Sequence, residues 1–136
     1  MSASMQGAMA FQKGLGCVHS LSHSLGGVDP RLHHGTLNAM FLPAVVQFNA
    51  TAESMQKEKR LERMARAMGL TSGSDVAQAL RDMNARLQLP AGLAAMGVTS
   101  TAFEKIIHGA LADHCHKTNP RIASAEDYTH MLEQST

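Results

Sequence analysis

Apolar residues recur every three to four positions along most of the chain, and nowhere do they alternate singly over a run long enough for a strand. The first series is Met5, Met9, Phe11, Leu15, Val18, Leu21 and Leu25, a spacing that predicts one buried helix from Met1 to about Leu25, with Gly26 and Gly27 stopping it. Gly14 and Gly16 fall inside that helix at a cost of up to about 1 kcal/mol each against Ala, which marks close packing against another element. A second helix is expected from His34 to about Phe48, with Leu37, Met40, Phe41, Ala44, Val45 and Phe48 on its apolar face and Pro43 as a kink or break. Glu53 to Met68 has the pattern of a surface helix closed by Gly69. Val76, Leu80, Met83, Leu87 and Leu89 define another, ended by Pro90. Thr101 to Glu104 is a capping box that should open a helix through Ile106, Ile107 and Leu111 as far as Cys115. Ser124 to Asp127 should open a last one, running to about Leu132.

The sum is an all-α bundle of about six helices with short connections, one helical domain over residues 1–136. Because the apolar pattern is already running at Met1, with no start signal beyond Ser2 and Ser4, the expectation is a domain truncated at its N-terminus.

Composition agrees with helices. Of the 136 residues, 44% are hydrophobic but only 4% aromatic, the apolar weight falling on Ala, Leu, Met and Val. A domain of this length buries roughly two thirds of its unfolded surface and needs no staples. The formal net charge is +1 and the basic residues are dispersed, which argues against nucleic-acid binding and against an acidic lipid surface. No apolar stretch approaches the roughly 18 residues that cross a bilayer, so no membrane partner is expected. The two cysteines, Cys17 and Cys115, form neither a CxxC pair nor a disulfide framework; they suit a reducing, cytoplasmic setting and read as small core residues rather than ligands.

The chemistry lies in the histidines. His19 and His23 are four residues apart and share one face of a helix. If the chain doubles back after the Gly26 to Arg31 turn, His33 or His34 opens the next helix near the same point, and imidazoles from two helices can reach one divalent ion. Spacing alone is weak evidence, since such pairs are mostly polar residues on one side of a helix. Its weight here comes from an apolar setting in which unpaired imidazoles are costly to bury. His108, His114, His116 and His130 fall on helix C-terminal turns or polar faces, and helix-end electrostatics accounts for His114 and His116.

The strings GLGCVHSLSHSLGG and HHGTLNAMFLPAVVQFN, between Gly14 and Asn49, together with HKTNPR from His116 to Arg121, resemble the iron-containing alcohol dehydrogenases. The resemblance covers almost the whole chain and implies the helical C-terminal domain of that family. It implies a divalent metal, usually iron and sometimes zinc, held by an aspartate and three histidines. His19 and His34 correspond to two of these ligands, and His23 to a histidine lining the site near nicotinamide and substrate. The turn between His23 and His34 is one residue longer than in common members, which leaves His33 as the alternative to His34. The other two ligands and the dinucleotide-binding domain, with the site for NAD(P), belong to segments not found in residues 1–136, and no glycine-rich phosphate loop is present. The resemblance thus implies an alcohol dehydrogenase or aldehyde reductase acting on a small alcohol or aldehyde, with the isolated chain inactive and prone to homo-oligomerise through exposed apolar surface. The competing expectations are a non-catalytic, self-associating helical protein derived from the family, and metal storage or transfer by the histidines.

Overall fold

The computed structural model describes residues 1–136 and is all-helical, with no strand. Eight α-helices follow in order: α1 Ser2–Phe11, α2 Cys17–Val28, α3 His34–Asn49, α4 Glu53–Lys57, α5 Arg60–Ala67, α6 Val76–Arg86, α7 Phe103–Ala112 and α8 Ala125–Gln134. Short 3₁₀ turns occupy Gly73–Asp75, Ala94–Met96, Ser100–Ala102 and His114–Thr118. No helix is long and apolar enough to cross a membrane.

α2 is the centre of the bundle, packed on α3 and α7, while α3 also packs on α6 and α8. The core takes Cys17, Leu21 and Leu25 from α2, Leu37, Phe41 and Ala44 from α3, Ile106 and Ala110 from α7, and Tyr128, Met131 and Leu132 from α8. These positions repeat at three or four residues on each helix, and each fully buried Leu or Phe side chain contributes roughly 1.5–3 kcal/mol. Where α2 meets α7, the Ser24 hydroxyl donates to the Ile106 carbonyl at 2.7 Å. Gly109 makes that approach possible, because a Cβ there would collide with Ser24 Oγ.

The expected first helix is two helices. α1 buries none of its residues, and Met5, Met9 and Phe11 are exposed. The break follows from Gly14, whose φ of +97° lies in the left-handed region and whose missing Cβ leaves space for the Thr118 side chain. The Gly14 and Gly16 signal therefore did mark a close approach, but one that ends a helix. Nor do Gly26 and Gly27 stop α2, which runs on to Val28. Both keep negative φ, and the helix ends ahead of Pro30, before which the helical region is disfavoured.

The Glu53 to Met68 segment divides at Lys59, which takes φ +49° between α4 and α5. Pro43 stays buried inside an undivided α3. Leu87, expected on an apolar face, is exposed. The Thr101 box does not form: a 3₁₀ turn occupies Ser100–Ala102, Thr101 Oγ1 pairs with Thr99 Oγ1 at 2.7 Å, and α7 stops at Ala112, short of Cys115. The Ser124 box does form, with Asp127 N–H donating to Ser124 Oγ at 3.1 Å and Ser124 N–H donating to Asp127 Oδ2 at 2.8 Å.

Candidate metal centre

His19 and His23 stand one turn apart on α2, and His34 is the first residue of α3. The turn at residues 29–33 brings these helix ends together, held by Asp29, whose carboxylate accepts from the Arg31 backbone and guanidinium at 2.7–3.1 Å. The three rings form a triangle, with centroids 5.7 Å apart for His19–His23, 5.4 Å for His19–His34 and 5.2 Å for His23–His34. His33 occupies the position before α3 without a side-chain capping bond, is exposed, and makes none of these ring contacts.

Hydrogen bonds decide which nitrogen of each ring is free. Ser22 is fully buried, and its hydroxyl donates to the His19 carbonyl at 3.2 Å. With that proton committed, Ser22 Oγ accepts from His34 Nδ1–H at 3.4 Å, leaving the lone pair of His34 on Nε2. That lone pair faces the Asn38 side-chain nitrogen at 3.0 Å, and Nε2 of His19 faces the same nitrogen at 3.4 Å. One amide NH₂ group thus sits where two imidazole lone pairs converge. Asn38 Oδ1 is buried without a partner, so the amide orientation is held by those imidazoles rather than by bonds of its own.

Burial, then the neighbouring rings of His34 and His23, lowers the pKa of His19 below the usual imidazole value. The neutral ring is the form that can accept a cation. Neutral imidazoles presenting Nε2 to a common point suit a divalent first-row ion, and an N–H on the far nitrogen of a ligating His is the usual outer support.

His23 is oriented differently. Its Nδ1 lies 3.1 Å from Asp113 Oδ2, so the carboxylate keeps the proton on Nδ1 and Nε2 is left as the acceptor. Burial alone would raise the Asp113 carboxyl, but the Cys115 N–H at 2.8 Å and the His23 side chain together hold it below its ordinary value. Asp113 also accepts from Ser20 Oγ at 3.4 Å, which fastens the turn after α7 to α2.

The start of α2 is fixed from a third direction. Asn119 Oδ1 accepts from the Cys17 N–H at 3.1 Å and from Asn49 Nδ2 at 3.3 Å, while Asn119 Nδ2 donates to Asn49 Oδ1 at 2.6 Å and to the Arg121 carbonyl at 2.7 Å. Arg121 lies 4.2 Å from the centroid of the Phe48 ring and pairs with Asp127. The HKTNPR string therefore ties the N-terminus of α2 to the C-terminus of α3, two residues before His19.

Of the candidates read from the sequence, His19, His23 and His34 are brought together and His33 is not. Ser22, Asn38 and Asp113 were missed. Asn38 lies one turn after His34 and inside the quoted His-Gly-x-x-Asn-Ala string, so a helical-face argument finds it. Asp113 is 90 residues from His23 and carries no local signal. His114 and His116 lie beyond α7 on the 3₁₀ turn rather than in a last helical turn; His114 stacks on His23 at 6.1 Å and His116 Nδ1 meets the buried Tyr128 hydroxyl at 3.0 Å. His130 sits between Glu126 and Glu133 on the exposed side of α8.

The all-helical fold gathers three imidazoles into one histidine-lined site at the junction of two helices. Residues 1–136 match the model described as "Fe-containing alcohol dehydrogenase family, C-terminal", and the chain belongs to that family. It is 65% identical over 139 residues to a 4-hydroxybutyrate dehydrogenase of Cupriavidus necator, covering 99% of this chain and 36% of that protein. To an NAD-dependent methanol dehydrogenase of Bacillus methanolicus it is 34% identical, covering 96% of this chain and 35% of that one. Among solved structures, a 1,3-propanediol oxidoreductase superposes with a TM-score of 0.78 at 28% identity, over 90% of this chain and 33% of the other. The chain thus spans about a third of the length of the proteins it matches.

Proposed function

We propose that residues 1–136 are the metal-binding C-terminal part of an iron-dependent, NAD(P)-linked alcohol dehydrogenase, that His19 and His34 are two of the metal ligands, and that His23 handles a proton beside them. The observation that carries the proposal is the convergence of Nε2 of His19 and His34 on one amide nitrogen, at 3.4 and 3.0 Å. His19 and His34 would hold the ion through these atoms, the Asn38 amide giving way. The remaining aspartate and histidine ligands and the nicotinamide site would come from outside residues 1–136. An ion held there, iron(II) or zinc, would supply Lewis-acid polarisation of the substrate oxygen, and a nicotinamide would supply the hydride chemistry.

The chain's own residues do the rest. Ser22 fixes the tautomer of His34. Asp113 fixes that of His23, so Nε2 of His23 is the atom that accepts a proton from the substrate hydroxyl side or returns one to a carbonyl. Asn119 and Asn49 hold the start of α2, and with it the position of His19. The substrate class is a short primary alcohol or its aldehyde, with 4-hydroxybutyrate the first to test, given the 65% identity to a 4-hydroxybutyrate dehydrogenase. Cytoplasmic location belongs to the same proposal.

Two imidazoles alone hold a first-row ion weakly. The chain by itself should therefore show no turnover with NAD(H), iron(II) and 4-hydroxybutyrate or short aldehydes, and robust activity would refute this. Calorimetric titration with iron(II) should show weak binding that His19→Ala and His34→Ala each reduce by at least ~10-fold, a loss no smaller than outer-shell partners cost. Unchanged affinity in both variants would remove the site.

The exposed Met5, Met9 and Phe11 of α1 favour a second role, self-association. A mass in solution equal to one chain at high concentration would end it.

A further inference from the structure

Beside the His19/His34 pair lies a second group of donors with a different chemical character. A nitrogen of His23, a carboxylate oxygen of Asp113 and Sγ of Cys115 all lie within 4.8 Å of one another. His114 stands beside the group, Nδ1 3.9 Å from Asp113 Oδ2 and Nε2 3.4 Å from Cys115 Sγ, so that a turn of its ring would bring one of the two nitrogens to a shared ion. Its ring stacks on that of His23 at 6.1 Å. The group therefore offers two imidazoles, one carboxylate and one thiol.

The two oxygens of Asp113 divide the work. Oδ1 accepts the Cys115 N–H at 2.8 Å and the Ser20 hydroxyl at 3.4 Å, which builds the turn that presents Cys115. Oδ2 faces the imidazoles, 3.1 Å from His23 Nδ1. One oxygen is committed to the fold, and the other, which accepts the His23 Nδ1–H, would exchange that proton for a cation. The inner wall is buried, with Cys115 1% exposed. The outer wall is open to solvent, the side chains of His23 and His114 being 36% and 84% exposed.

We propose that His23, Asp113, His114 and Cys115 form a second divalent-cation site, separate from the His19/His34 pair, for a borderline-soft ion of the zinc, cobalt or cadmium kind. A mixed sulfur, nitrogen and oxygen set is one that zinc accepts in tetrahedral geometry, whereas iron(II) gains less from it. With bonds of about 2.0–2.3 Å, tetrahedral ligand atoms stand roughly 3.3–3.8 Å apart. The present spacing, within 4.8 Å, has to close on the ion, and the two solvent-facing imidazoles are the side chains with room to rotate. Cys115 binds as thiolate and releases its proton to solvent. His23 binds through Nδ1, whose proton is made up at Nε2, so one proton leaves per ion bound. Resting on the role given to His23 above, an ion here also withdraws His23 from proton handling at the neighbouring site, and zinc in excess opposes the chemistry proposed for that site.

Cobalt(II) titration of the chain tests the site without any assay of activity. The expected result is a near-ultraviolet sulfur-to-cobalt charge-transfer band that is absent in Cys115→Ser and retained in His19→Ala. His23→Ala, which leaves the buried cysteine in place, should weaken competitive zinc binding at least ~10-fold. It guards against misfolding of the serine variant. No charge-transfer band at saturating cobalt overturns the proposal. So does a band that survives Cys115→Ser, which would assign the sulfur to Cys17, or one that disappears in folded His19→Ala, which would merge the two sites into one. Loss of the His19/His34 site with the band intact would leave this inference standing while the function proposed above fell.

Discussion

Replacing Asn119 by Ala removes the acceptor that receives the Cys17 backbone N–H at 3.1 Å at the first position of α2. The donor is buried, Cys17 being fully enclosed and Asn119 7% exposed, so water cannot easily take its place. An unsatisfied buried donor costs about 1–3 kcal/mol. Asn49 loses its bonds to the same side chain, at 2.6 and 3.3 Å, and the Arg121 carbonyl loses another at 2.7 Å. Asn49 is partly exposed and can recover some of this from solvent, which keeps the total near 2–3 kcal/mol rather than the sum of all the bonds. Urea unfolding followed by circular dichroism measures it: the midpoint should fall with little change in slope. Asn119→Asp supplies an oxygen for Cys17 but no N–H for Asn49 or Arg121, so it should lie between wild type and Ala. A loss below about 0.5 kcal/mol for Ala, the level of an ordinary surface change, would refute the view that this side chain holds the start of α2.

Gly109→Ala sets a Cβ against Ser24 Oγ at the α2/α7 contact and should destabilise by about 1–3 kcal/mol, read in the same unfolding assay; a neutral change would mean the helices part without cost. Ser124→Ala removes the acceptor for the Asp127 N–H on α8, while the backbone N–H at position 124 keeps its bond to Asp127 Oδ2, and should cost about 1 kcal/mol, with amide exchange faster in the first turn of that helix. Ser22→Ala removes the acceptor for His34 Nδ1–H, and nitrogen chemical shifts of the imidazole should report a change of tautomer at His34 while those of His23 stay put. The acid response follows from two shifts. The lowered pKa of His19 means the unfolded chain binds more protons as pH drops below about 6.5, so stability should decline from there downward and the slope should flatten in His19→Gln, with His34, His23 and Asp113 the groups facing it. The lowered pKa of Asp113 gives stability that is present above about 3.8 and lost as pH falls through the lower folded value, an acid limb that Asp113→Asn should remove.

The sequence carried the helices better than their ends. Periodicity found α2, α3 and α7 because each buries a stripe against the core, and stripes are what periodicity detects; α6 kept the spacing although only Val76 and Ala77 of it are buried, and α8 was found from its capping box. Periodicity joined α1 to α2 because Met5, Met9 and Phe11 continue the spacing, yet those side chains meet nothing and stay exposed. It missed the break at Lys59, a non-glycine residue at φ +49° that no local preference announces. Two of the site's three imidazoles were legible from the i, i+4 spacing and the third from the turn that folds α3 back. Only the backbone path separated His34 from His33, because adjacent residues at a helix start point in different directions and the choice rests on which one becomes the first helical residue. Asp113 and Asn119 were out of reach for a plainer reason. They act across 90 and 102 residues of chain, on a turn with irregular dihedrals, and a single sequence holds no record of such contacts.

Crystals of the chain loaded anaerobically with iron(II) and measured at the iron absorption edge test the central claim most directly. One anomalous peak should lie at bonding distance, about 2 Å, from Nε2 of both His19 and His34, with the Asn38 amide displaced from between them. A peak bound through Nδ1 of either ring, a peak at His33, or iron found only away from this pair would contradict the account.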